Sequence, residues 1–157
     1  MKINFFIFIS ILIFSACAIK DYKTTQSKIV IIKSPKIKFS DLAYIRNTKK
    51  AIELELFIAG TCIEKITINH LICTSEGCMG KSSFNEEYLS RFYPDDILQN
   101  ILLSLPIYKA KNIQKINTSF TQNIKNKDVD ISYRVDDKIT FFKDRKNHII
   151  FKIKNIK

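Results

Sequence analysis

Ile52, Leu54, Leu56 and Ile58 alternate with Glu53, Glu55 and Phe57. Strict alternation puts the apolar side chains on one face of an extended chain and the charges on the other, which a helix of 3.6 residues per turn cannot do. The stretch is therefore a half-buried strand, and the same period recurs at both ends of the chain. Before it, Lys28 to Lys33 carries the β-branched run Ile29-Val30-Ile31-Ile32. Ile37 and Phe39 alternate with Lys36 and Lys38, and a strand there continues through Tyr44. Arg46 to Lys50 reads as a polar turn. Cys62 to Asn69 returns with Ile66 and Ile68 on one face and Ile63 on the other, which places a bulge at Ile63. Leu71-Ile72-Cys73 and the Cys78 side of the next turn form a hairpin. Far along the chain, Ile131, Tyr133 and Val135, then Ile139 and Phe141, then Ile149, Phe151 and Ile153 repeat the alternation. Ile107-Tyr108, Ile113 to Ile116 and Phe120 to Ile124 are shorter strand candidates.

The period changes in the middle. Ser83-Phe84-Asn85-Glu86 fits a capping box, with Phe84, Tyr88 and Leu89 on one side of a short helix running to Phe92. Pro94-Asp95-Asp96 suits the start of a second helix, since proline fits the first helical position and carboxylates suit the positive end of the helix dipole. Ile97, Leu98, Ile101, Leu102 and Leu105 give it a wide apolar face, and Pro106 stops it. Strands, two helices, strands: the sheet's dry face needs a cover, and only the central helices can supply it. The expected fold is α+β and β-rich, a curved antiparallel sheet with the two helices packed on its concave face.

Hydrophobic residues make up 46% of the chain and charged residues 26%, so it holds enough apolar surface for a core. With three glycines and three prolines, its turns must rest on Asn, Asp, Ser and Lys. The formal charge is +11. Many of the lysines alternate with isoleucine, as in Lys36-Ile37-Lys38 and Lys152-Ile153-Lys154, which makes them the wet faces of strands. Nucleic acid is not the expected partner, because no aromatic RNA-binding motif accompanies the charge. Attraction to lipid phosphates is the remaining consequence.

The N-terminus says where the chain works. Lys2 precedes an apolar run from Phe5 to Phe14 broken only by Ser10, and Ser15-Ala16 supplies small residues before Cys17. A charged start, an apolar core and a small-residue site make a secretory signal, and the run is shorter than the roughly 20 residues that span a bilayer. Phe14-Ser15-Ala16-Cys17 resembles a bacterial lipobox. That resemblance implies cleavage before Cys17 and acylation of its sulfur by palmitate-type chains, anchoring the protein to a membrane. It divides the chain into a signal peptide at 1–16, the lipidated cysteine and a tether at 17–27, and one β-rich domain at 28–157. Ala18, in place of an aspartate retention signal, favours the periplasmic face of the outer membrane.

Three other cysteines remain. Cys73 and Cys78 flank Thr74-Ser75-Glu76-Gly77, a tight turn across which two strand positions come within disulfide range. An oxidising compartment favours that disulfide. The alternative is a metal set of His70, Cys73, Cys78 and Cys62, whose spacing is loose for zinc. Cys62, in apolar surroundings, reads as a buried free thiol. His70 and His148 stand alone and read as packing or surface residues.

No Gly-x-Ser-x-Gly elbow, His-Glu-x-x-His pair or phosphate loop is present. The carboxylate pairs Glu86-Glu87, Asp95-Asp96 and Asp136-Asp137 are adjacent in sequence, so they do not face one another. The expectation is a protein without catalysis, cofactor or metal.

The order of features resembles the LolB-like outer-membrane lipoproteins, especially their shorter relatives, and is similar to basic lipoproteins of epsilon-type proteobacteria. Cys17, Glu87-Tyr88-Leu89, the helix from Pro94-Asp95-Asp96-Ile97-Leu98, and the terminal strands at Asp130 to Tyr133, Lys138 to Phe141 and Ile149 to Ile153 carry the resemblance. It implies an unclosed barrel with a helical lid that binds the acyl chains of lipids or lipoproteins, received from a periplasmic carrier. Phe84, Tyr88, Ile97, Leu98, Ile101, Leu102, Phe141 and Phe151 are the expected lining. The exposed leucine that the family carries on a protruding loop has no counterpart in Arg46 to Lys50 or Ala59 to Thr61. A structural adaptor that holds envelope proteins is the alternative function.

Overall fold

The computed structural model describes residues 24–156. The expected signal peptide, Cys17 and the expected tether up to residue 23 lie outside the described residues. Six strands come first: β1 (Thr24–Lys33), β2 (Lys38–Asn47), β3 (Ile52–Ile58), β4 (Thr61–Ile68), β5 (Ile72–Thr74) and β6 (Gly77–Met79). Two helices follow, α1 (Lys81–Tyr88) and α2 (Ile97–Leu102). Five strands complete the chain: β7 (Ile113–Ile116), β8 (Ser119–Lys125), β9 (Asp130–Val135), β10 (Ile139–Asp144) and β11 (Ile149–Asn155).

All eleven strands form one unclosed antiparallel sheet, in the order β6-β5-β4-β3-β2-β1-β11-β10-β9-β8-β7. Each half is a meander of adjacent hairpins, and the halves join where β1 pairs with β11, Val30 opposite Ile153 and Ile32 opposite Phe151. This order explains the place of the helices. Residues 80–112 leave β6 at one edge and enter β7 at the other, and eleven strands are about 48 Å wide when flat. The connection must cross the whole face, and it fills the concave side with Phe84, Ile97, Leu98 and Ile101, all under 3% exposed.

Polar side chains close the turns where glycine is scarce. The Thr48 hydroxyl accepts from the Ala51 amide at 2.8 Å, Asn126 Oδ1 from Val129 at 2.9 Å and Asp136 Oδ1 from Ile139 at 2.9 Å. Between β3 and β4 the register slips at Leu56/Phe57, whose partners are Glu64 and Cys62, so Ile63 is the bulged residue. Cys73 and Cys78 face each other across the β5–β6 ladder and are disulfide-bonded.

Several expectations are corrected. Residues 24–27 belong to β1 and not to a tether. Ser83 does not cap α1: Gly80, extended at φ −63° and ψ 151°, is the N-cap, and no side chain caps the helix. α1 stops at Tyr88 and not Phe92, because the buried Asn85 amide donates to the carbonyls of Pro94 at 3.0 Å and Tyr93 at 3.4 Å and folds the chain back. Pro94 lies ahead of α2, whose N-cap is Asp96. Ile107-Tyr108 is no strand: Tyr108, Lys109 and Ala110 turn left-handed at φ 47°, 53° and 61°. Cys62 is exposed, since it sits at the β3–β4 end beyond the bulge. In β10 the inward side chains are Thr140, Phe142 and Asp144, which puts Phe141 on the outer face.

Candidate functional site

Phe84, Ile97, Leu98, Ile101 and Phe151, five of the expected lining residues, are at most 2% exposed and pack in the common core. Tyr88 stacks on Phe84 with ring centres 4.5 Å apart. Its hydroxyl donates to Glu76 in the β5–β6 turn, and Lys36 lies 4.8 Å above its ring. Phe142, not Phe141, is the aromatic hub, with Tyr93, Tyr133 and Phe151 at 5.8, 6.2 and 6.1 Å. These side chains fill the space that an acyl cavity would need, so seven of the eight expected lining residues do not face one shared hollow.

Leu102 is the exception. α2 ends there, Ser104 turns left-handed at φ 57°, and Tyr133 holds the Leu105 carbonyl at 3.0 Å. The concave face beyond that point has no helical cover. A cleft of about 400 Å³ opens between the helix end and strands β1, β2, β10 and β11. Its lining is mostly polar, from Thr24, Gln26, Lys28, Asp136, Asp137 and Asn155, and Ile45, Leu102, Leu103 and Ile153 supply a smaller apolar part. The Ser104 and Thr140 hydroxyls are hydrogen-bonded at 2.6 Å on its wall.

The charges in the cleft are unequal. Asp136 is occupied by its own turn, accepting from the amides of Lys138 and Ile139 at 2.9 Å each. Asp137 accepts from the Thr118 hydroxyl at 3.1 Å. Lys28 donates to the Asn155 side chain, and burial of its ammonium lowers its pKa. With two carboxylates and one partly desolvated ammonium, the cleft selects by its small apolar part and its hydrogen-bonding groups and not by a net positive charge.

A second polar centre was not legible in the sequence. Asp144 is fully buried. Its Oδ2 accepts from the Tyr93 hydroxyl at 2.8 Å and the Asn147 amide at 2.7 Å, and its Oδ1 from the backbone amides of Asp130 and Lys146 at 3.1 and 3.0 Å. Burial alone pushes its pKa up, but these donors outweigh it and hold the carboxyl below its ordinary value. Burial and the neighbouring Asp144 push the Tyr93 hydroxyl far up, so that it stays a donor. The centre ties the β10–β11 turn to the loop after α1, and Asp144 does not line the cleft beyond α2.

His70 and His148 are both exposed, His148 at φ 56° in the β10–β11 turn. Among the described residues, no three His, Cys, Asp or Glu side chains come close enough to hold a metal ion, and no helix is long and apolar enough to cross a membrane. Comparison with family models, with curated proteins and with solved structures finds no match.

Proposed function

We propose that the protein is a lipid-anchored lipoprotein on the periplasmic face of the outer membrane, akin to the LolB-like proteins, that works by binding. Its ligand is the acyl portion of a lipid or lipoprotein, held at the cleft beyond α2 and not under the helices. The observation that carries this reading is the meeting of Ile45, Leu102, Leu103 and Ile153 with the half-buried Lys28 in one hollow of about 400 Å³. The apolar part takes a stretch of chain, and Gln26, Lys28 and Asn155 offer hydrogen bonds to a polar head. The volume matches part of a lipid rather than a whole one, so the remainder of the ligand stays outside.

The test is native mass spectrometry of the chain from Ala18 together with titration by a fluorescent fatty-acyl probe. Stoichiometric, saturable binding is expected, weakened about tenfold or more by Leu102→Glu in a variant with unchanged circular dichroism, since a buried carboxylate in an apolar wall is strongly disfavoured. Absence of saturable binding sinks the acyl reading. The filled core favours a second reading, a structural adaptor that holds another envelope protein. It takes the lead if the probe fails and a partner is recovered by crosslinking at the exposed Ile58 and Ile63, which are 49% and 50% exposed.

A further inference from the structure

The outer face of the sheet has an order that the core does not explain. Register lines up its outward side chains in rows across the central strands. One row runs Arg134, Phe141, Lys152, Ile31. The next runs Ile139, Lys154, Ile29, Leu42. A third runs Lys143, Ile150, Lys33, Lys38. No acidic residue stands at an outward position of β10, β11, β1 or β2, and on β9 the outward Asp130 lies 3.4 Å from Arg145 and 3.9 Å from Lys125. Among the described residues, no carboxylate pairs with Lys33, Lys38, Lys143, Lys152 or Lys154, whereas Arg134 reaches Asp136 at 3.6 Å. The contrast lies two strands away. On β3 and β4 the fully buried Glu53 and the mostly buried Glu55 meet Lys65 at 3.1 and 3.3 Å, and Glu55 also pairs with Arg46, so that half is balanced.

From this we infer that the outer face of strands β9, β10, β11, β1 and β2 is a docking surface for an anionic lipid bilayer. Its focus is the hollow of about 440 Å³ where Arg134 and Lys152 flank Phe141 and Ile139. The cations answer lipid phosphates, and the attraction reaches only about a Debye length from the surface. Interleaving with Ile, Leu and Phe is the second requirement. Lysine stems lie along the apolar side chains while their ammoniums reach the headgroups, and the apolar tips enter the interface. A nucleic acid would want stacking rings, and these rows carry one, Phe141. The inference rests on the anchored reading for its geometry. From Cys17 to the start of β1 at Thr24 the chain is seven residues, at most about 25 Å when extended, so the sheet cannot leave the neighbourhood of the bilayer.

The experiment uses the full chain reconstituted in vesicles of phosphatidylcholine alone or mixed with phosphatidylglycerol, labelled with an amine-acylating reagent and read by peptide mass spectrometry. In the phosphatidylglycerol vesicles, labelling of Lys33, Lys143, Lys152 and Lys154 is expected to slow about fivefold or more and to recover in high salt, with Lys50 and Lys109 unchanged. The double variant Lys152→Glu/Lys154→Glu is expected to lose the protection at Lys33 and Lys143. Equal labelling in both vesicles overturns the inference, as does protection that high salt does not relieve. The wild-type footprint decides the matter even if the variant misfolds. The mass of the peptide holding Cys17 reports acylation separately, so a missing anchor and a wrong face give different results.

Discussion

Asp144 shows how one side chain can hold a fold together from a position that reads as a turn. An isolated buried carboxylate is costly, but each oxygen of Asp144 receives at least two donors, from four different residues. Because its pKa is lowered in the folded state, it contributes stability above the ordinary carboxylate range near about 4, and that contribution is lost as pH falls through its depressed value. Asp144→Asn keeps the shape but turns an amide toward donors. At neutral pH it is expected to cost about 3 kcal/mol, read from denaturant midpoints, and the gap to wild type should narrow in strong acid. An unchanged midpoint at neutral pH would show the network to be ornamental. Nothing in Asp144-Arg145-Lys146-Asn147 announces a buried charge, since the same residue types make an exposed turn. Phe141 and Phe142 posed a related problem: either aromatic satisfies an alternating pattern, and only the inward commitment of Asp144 two places on selects Phe142.

At the scale of elements, alternation located the strands from β1 to β4 and from β9 to β11 because each has one dry face. Helix limits were less legible. They depend on what the chain meets afterwards, such as Asn85 reaching Pro94, and a capping-box pattern at Ser83 carries no information about that. The turn at Tyr108–Ala110 was invisible for another reason: left-handed backbone is expected at glycine, and none is there. Tertiary contacts impose it. The buried Gln122 accepts from the Ile107 amide at 2.8 Å and donates to the carbonyls of Ile107 and Lys111 at 3.0 and 2.7 Å. Left-handed conformation costs an ordinary residue about 1–2 kcal/mol. Lys109, exposed at the centre of the turn, is therefore expected to become more stable as Lys109→Gly, by about 1 kcal/mol after the entropy of the unfolded glycine is subtracted. A thermal melt checks the sign, and a lower midpoint would mean that the turn is not strained.

Taken whole, the molecule has a concave side covered by its own helices except at the cleft beyond α2, and an outer side of the central strands where cations outnumber anions. With a formal charge of +11, self-repulsion works against the folded state at low ionic strength. Raising salt from a few millimolar toward physiological strength is expected to stabilise the protein by about 0.5–1 kcal/mol through screening, measurable as a rising melting temperature. A flat or falling series would mean that the balanced ions of β3 and β4 matter more than the lysines of the centre.

The pairing of β1 with β11 has a consequence for how the protein is made. Synthesis runs from the N-terminus, and β1 is among the first strands to emerge. Its partner, Ile149–Asn155, is among the last. Until then, one side of β1 is an unpaired edge bearing Ile29, Val30, Ile31 and Ile32, and the half-sheet behind it lacks the Phe151 and Ile153 that pack against it. Each meander can form by local contacts as it appears, but the seam between them closes only when nearly the whole chain is present. The newborn protein therefore spends most of its synthesis with a sticky flank, and whatever escorts it has to guard that flank until the final strand arrives.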